Sequence, residues 1–224
     1  AQFHLTDFVD DADMTRFETF VAQTRPGEIL LEKSCVSAKA LRILKNNTPP
    51  TTLWNYLKPD KEFLTADRTR MTIDGEGYFD KSVEDSIDSW PAVLREAKDK
   101  EGVFSALGAL IWYLKTLMIE RDLITLGNFN WYDPIRKASS LVLDGQSLIN
   151  LEIFANTFDG STDGTLFTML NRCISPFGKR MLRQWVCHPL ADPKKINQRF
   201  DAIDALNADG TIMDRFTEIG RAHV

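Results

Sequence analysis

Hydrophobic positions along this 224-residue chain change period several times, and each change marks an element. Phe3, Leu5 and Phe8 alternate as in a short strand that runs into the acidic turn Asp10-Asp11. Met14, Phe17 and Val21 then recur at helical spacing, so a helix capped by Asp13 is expected to bury them and to stop at Arg25-Pro26-Gly27. Ile29-Leu30-Leu31 is a compact apolar run, as in a strand covered on both faces. Ser37 opens a second helix with Leu41 and Leu44 inward, ended by Asn46-Asn47-Thr48-Pro49-Pro50, and Thr51–Leu57 alternates like a further strand. Strands and helices in alternation imply parallel pairing with helices on the faces. Asp67 is placed to start a short helix that Gly75 and Gly77 end, and Ser89-Trp90-Pro91 to start another. The acidic, glycine-punctuated sequence around them reads as surface loops. Residues 103–119 form a long apolar helix, the run Gly102–Ile119 being broken only by Lys115. Charged flanks leave that run barely long enough to cross a membrane, and a helix buried on a sheet explains the same pattern.

After residue 140 the pattern is helical throughout. Asp144 caps a helix with Leu148, Leu151 and Phe154 inward. Ser175 caps the next, with Pro176 at its first position and Pro189 as its stop. Along that helix Phe177, Met181, Leu182 and Trp185 make an apolar stripe, with Trp185 as a core anchor. Lys179, Arg180 and Arg183 fall on the opposite, solvated face, where a basic surface could also track phosphates. Asp192 and Pro193 repeat the start signal for a helix striped by Ile196, Phe200, Ile203 and Leu206. The fold class is therefore an α/β domain over 1–133 followed by a helical segment over 134–217, with Asn128–Arg136 as the passage between them.

Composition sharpens this picture. The chain is 43% apolar, enough for packed cores in one or two domains. Residues 1–133 hold 16 Lys and Arg against 22 Asp and Glu, whereas 134–224 hold 11 against 10. An acidic surface repels phosphate backbones, so the first part is poorly suited to wrapping DNA. Cys35, Cys173 and Cys187 show no C-x-x-C spacing. With His188 the last two offer at most three ligands, which fits reduced thiols better than a closed zinc site. No signal peptide is read at Ala1. Glu218–Val224 spells the translation of a sequencing adapter and is set aside as an artefact.

Asp159-Gly-Ser-Thr-Asp-Gly164 imitates the start of an EF-hand loop, but position twelve, where a bidentate Glu is required, is Leu170. A turn feeding a helix near Thr165 accounts for the same residues. Gly160 and Gly164 are wrongly spaced for a phosphate loop, and no Lys follows them. Asp7, Asp10, Asp11 and Glu32 lie near strand ends and form the one carboxylate set that could hold two catalytic metals. Asn46-Asn47-Thr48 fits a glycosylation sequon, a weak three-residue match.

Four blocks in order carry a resemblance. LDGQSLINLEIF from Leu143, DGSTDGTL from Asp159, SPFGKRMLRQW from Ser175 and INQRFDAI from Ile196 resemble the start of the core (lever) domain of the MutS mismatch-repair family, of its eukaryotic homologue 6 type. The earlier part, through Ser105-Ala-Leu-Gly and Tyr113-Leu-Lys, is similar to the MutS connector domain, which implies a ribonuclease H-like topology without catalysis. The resemblance stops at about Thr217. It implies a segment of a nuclear mismatch-recognition subunit that pairs with a second MutS homologue and binds mismatched DNA through other domains. That subunit would use ATP and magnesium at a site elsewhere and recruit MutL-type proteins. It implies no catalytic, cofactor or metal residue here, and a structural role for Ser175, Pro176, Phe177, Gly178, Trp185 and Pro189. The rival readings are a stand-alone ribonuclease H-like nuclease using the Asp7/Glu32 set, and a protein-interaction scaffold unrelated to repair.

Overall fold

A computed structural model describes residues 2–79, 89–135 and 140–222. The chain divides into two compact units that do not follow the chain order. Unit 1 takes the residues up to Val9, Pro26–Lys45 and Pro50–Asp133. Unit 2 takes Asp10–Arg25, Asn46–Pro49 and everything from Pro134 onward.

Unit 1 holds strands β1 (Phe3–Leu5), β2 (Glu28–Glu32), β3 (Leu53–Leu57) and β4 (Phe129–Trp131). Its helices are α2 (Ala38–Asn47, whose last two residues fall in unit 2), α3 (Ala66–Glu76), α4 (Ala92–Glu96), α5 (Glu101–Thr116) and α6 (Glu120–Ile124). All strand pairing is parallel, as the alternation of elements predicts, but the partners differ from a simple β1–β2 neighbourhood. β1 pairs with β4, Phe3 opposite Phe129, and β2 with β3, Ile29 opposite Trp54. Among the described residues these are two two-stranded sheets. The segment joining β1 to β2, residues 10–25, belongs to unit 2.

The core of unit 1 forms around α5. Phe104, Leu107 and Ile111 are buried together with Phe3, Leu5, Phe129, Ile73, Trp90 and Leu94. At Gly108 an added Cβ would stand 2.0 Å from Thr69 Oγ1, so glycine is required where α5 crosses α3. The helix begins two residues before the expected 103–119 helix and ends at Thr116, leaving Leu117, Met118 and Ile119 exposed. Among the described residues no helix is long and apolar enough to cross a membrane. α3 starts from Thr65, whose side chain accepts from the Arg68 amide, and Gly77 closes it in the left-handed region at φ 62°. The start signal at Asp67 is therefore two residues late, and Gly75 is helical rather than terminal. On β2 only Ile29 is fully buried, while Leu30 and Leu31 are half-buried. Residues 80–88 of the anticipated loop region, Arg136 of the passage and the last two residues lie outside the described set.

Unit 2 contains α1 (Thr15–Thr24), α7 (Gly145–Asn150), α8 (Leu166–Leu170), α9 (Pro176–Cys187), α10 (Pro193–Asn207) and α11 (Gly210–Ala222). The caps read from the sequence are in place. Asp144 accepts from the Ser147 amide at 2.7 Å, Ser175 from Gly178 at 3.2 Å and Asp192 from Lys194 at 2.9 Å. At α1 the reading fails by one turn. Met14, left-handed at φ 60°, is the cap residue, and the Asp10 and Asp11 carboxylates accept from the Thr15, Arg16 and Phe17 amides in place of Asp13. α7 is short, so Leu151 is its cap and is exposed, while Leu148 and Phe154 are buried as expected. α11 continues as helix through Ala222.

Candidate functional site

Helix α9 is built by its sequence and then rotated against expectation. Ser175 is buried at the cap, Pro176 opens the helix, and a Cβ at Gly178 would lie 2.9 Å from Ser175 Oγ. The carbonyl of Pro189, past the end of the helix, accepts from the Leu141 amide at 2.7 Å. Ser175 and Pro176 thus stand at the cap and the first position of the helix. The apolar stripe does not turn inward. Phe177 is 53% exposed, Met181 52% and Trp185 39%, with the Arg199 guanidinium 3.9 Å from the Trp185 ring centre. Trp185 is a half-covered surface ring, not a core anchor.

The inward face carries Cys187, which is buried, with Val186, Leu182 and Arg183 half-buried. Arg183 lies 4.0 Å over the Phe154 ring, and its Nε and Nη2 donate to the Gln23 carbonyl at 3.2 and 3.1 Å. That carbonyl belongs to the last turn of α1, where helix geometry supplies no amide and where a cation is favoured. Arg183, placed on the solvated face by periodicity, is therefore the polar centre of the packing, while Lys179 and Arg180 are exposed.

α1 completes this arrangement. Thr19 is fully buried; its Oγ1 donates to the Thr15 carbonyl and accepts from the Gly145 amide at 2.7 Å. Gln23 Nε2 donates to the Pro134 carbonyl at 3.0 Å, and Arg25 donates to the Phe154 carbonyl. Ala22 joins Leu148, Ile153, Phe154 and Cys187 in one apolar cluster. A Cβ on Gly145 would meet the Thr19 amide nitrogen at 2.9 Å and the Glu18 carbonyl carbon at 3.0 Å, so α7 can approach α1 this closely only with glycine there. Burial pushes the Cys187 thiol up to about 11, against the pull of Arg183, which keeps it a neutral packing group. Periodicity missed Arg183, Thr19 and Gln23 because polar residues are assigned outward by default. The available signal was helical spacing, Thr19 and Gln23 four apart beside Ala22 on α1, and Arg183 four residues before Cys187 on α9.

The other candidate groups are engaged locally. Asp7 pairs with Lys100 in unit 1, whereas Asp10 and Asp11 spend their oxygens on the α1 amides in unit 2. Glu32 hydrogen-bonds Cys35, which raises that thiol's pKa. Asp159 accepts from the Ser161 amide at 2.8 Å and is held below the ordinary carboxylate range by that bond, and Asn156 ties the turn to Ser161 and the Asp163 carbonyl. Gly160 and Gly164 both sit at φ 73°, and Thr165 caps α8, so the pseudo-EF-hand segment is a turn leading into a helix. Among the described residues no group of three or more His, Cys, Asp or Glu is arranged to hold a metal ion.

The family described as MutS domain III matches residues 146–222, from within α7 to the end of α11. The chain is 40% identical over 216 residues, 96% of its length, to the DNA mismatch repair protein MSH6 of Saccharomyces cerevisiae, and 34% identical over 97% of its length to human Msh6. The chain belongs to the MutS family. A bacterial mismatch repair protein MutS, from Caldanaerobacter subterraneus, is 30% identical over 92% of the chain. This MutS-family chain spans 17% and 18% of the length of the two eukaryotic relatives and 21% of the bacterial one. The domain III match covers α9 and α10 and runs past Thr217, and α1, which packs against α7 and α9, lies outside it.

Proposed function

We propose that this chain is the connector and the beginning of the core (lever) domain of a nuclear mismatch-recognition subunit. In this reading unit 1 is a non-catalytic, ribonuclease H-like connector. Unit 2 opens the lever that links the mismatch-binding end of the parent protein to its ATPase end. A second MutS homologue is the heterodimer partner, and MutL-type proteins are recruited by the assembled clamp. ATP and magnesium bind elsewhere in the parent. The observation that carries the reading is similarity to homologue 6 mismatch-repair proteins over nearly the whole chain, with its strongest sequence blocks forming the helix caps of unit 2. The nuclease reading is disfavoured by chemistry, since the Asp10 and Asp11 oxygens already satisfy helix-terminal amides.

Exchanging the matching segment of yeast MSH6 for this chain tests the proposal. The hybrid should restore most of the mutation-avoidance activity to a strain lacking MSH6. A stably expressed hybrid with the mutation rate of the null strain would sink it.

A further inference from the structure

Helix α1 is joined in sequence at both ends to unit 1, at Val9 and at Pro26, yet belongs to unit 2. It has ten residues, fewer than an isolated helix needs to persist in water, so its helicity depends on what it docks against. Both of its ends are non-glycine residues in the left-handed region, Met14 at φ 60° and Arg25 at φ 40°. Such strain persists only where the surroundings impose it. Its buried residues are mixed, Thr19 and Gln23 beside Val21 and Ala22. Thr19 Oγ1 meets the Gly145 amide, the Gln23 side chain meets the Pro134 carbonyl, and the Gln23 carbonyl meets Arg183. Water can replace these bonds on opening, and the fully buried apolar side chains that α1 itself contributes are two of modest size, Val21 and Ala22, the latter against Leu148, Ile153, Phe154 and Cys187.

We propose that α1 is a clasp helix, which completes unit 2 when docked and opens from it as a local event that uncovers the groove floored by Phe154 and Cys187. Local openings of this kind draw on segments with few apolar contacts and do not require global unfolding. Arg183 is the positioning residue of the clasp, because it joins the α1 terminus to the Phe154 ring and to α9 through two charged hydrogen bonds, where the Cys187 thiol adds only a weak one at 3.9 Å. The inference goes beyond the repair reading and stands independently of it.

Native-state hydrogen exchange on the full chain, combined with iodoacetamide labelling of Cys187 resolved by peptide mass spectrometry, is the test. In the parent sequence the amides of α1 should exchange at least tenfold faster than those of α9 in the same unit, with Cys187 labelling following the same opening. Gly145→Ala, whose Cβ meets the α1 backbone, should accelerate both signals at least tenfold and leave α3 and α5 within twofold. Arg183→Ala should give the same pattern to a smaller degree without adding any atom. Should Gly145→Ala lose its far-UV signal, the parent sequence and Arg183→Ala decide the matter. Exchange of α1 that tracks α9 in these proteins would mean that unit 2 opens as one cooperative body and that there is no clasp. Faster α1 exchange with unchanged Cys187 labelling would mean that α1 does not cover the groove.

Discussion

The Arg183 guanidinium satisfies the Gln23 carbonyl at the end of a helix, in a place that the surrounding apolar cluster keeps from water. Removing it takes two charged donors from that acceptor, which keeps the weak bond from the Cys187 thiol at 3.9 Å, and strips a cation from the Phe154 ring. A charged hydrogen bond contributes about 1.5–3 kcal/mol and a cation over a ring about 0.5–2 kcal/mol, not fully additive. Arg183→Ala should therefore destabilise unit 2 by about 2–3 kcal/mol. Trp185→Ala, which removes a ring already 39% exposed, should cost about 1 kcal/mol. Urea denaturation followed by far-UV circular dichroism orders the two variants. A larger loss for Trp185→Ala would restore the orientation that the apolar stripe suggests. The reversal has a physical cause, because periodicity identifies which residues share a face without saying which face the neighbours cover. On α9 the buried face was claimed by Cys187, Val186 and the aliphatic stem of Arg183, which a hydropathy pattern counts as polar.

Caps were the most legible elements. Asp144, Ser175 and Asp192 are each fixed by a local bond between a side chain and an amide two or three residues on, and local chemistry needs no tertiary information. Asp13 misled because Asp10 and Asp11, just upstream, reach the same amides once Met14 turns left-handed. The register of β1 was not legible for a different reason: its partner β4 lies more than 120 residues away, and no local pattern encodes that pairing. The α7 cap supports a prediction with a defined sign. Hydrogen bonds from Ser147 hold the Asp144 carboxyl below its ordinary value. Its contribution is thus present above the unfolded-state pKa and is lost as pH falls through the lower, folded one. Asp144→Ala should cost about 1 kcal/mol at neutral pH. Asp144→Asn should keep most of the cap and flatten the acid limb of the stability curve between about pH 5 and 2. Denaturant midpoints measured across that range decide it, and an unchanged acid limb in Asp144→Asn would show that the carboxylate is not the titrating cap.

At the scale of the whole molecule, charge and exposed surface bound what the chain can do to DNA. Residues 1–133 carry 16 basic against 22 acidic side chains, so that part repels a phosphate backbone. In unit 2, Lys179 and Arg180 stand in solvent, and a few such cations attract phosphates without reading sequence or pairing. Discrimination of a mismatch requires a group that reaches a base edge or stacks on an unpaired base. Phe177 and Trp185 are the exposed aromatics nearest those cations on α9, but Trp185 is already covered by Arg199. Any affinity should therefore be weak, fall steeply with salt and differ by less than about twofold between duplexes, a gap of only about 0.4 kcal/mol. Fluorescence anisotropy with a G·T-containing and a fully paired duplex at physiological salt measures this directly. A tenfold preference for the mismatch, about 1.4 kcal/mol, would mean that the α9 surface recognises bases and that its exposed Phe177 is more than scaffold.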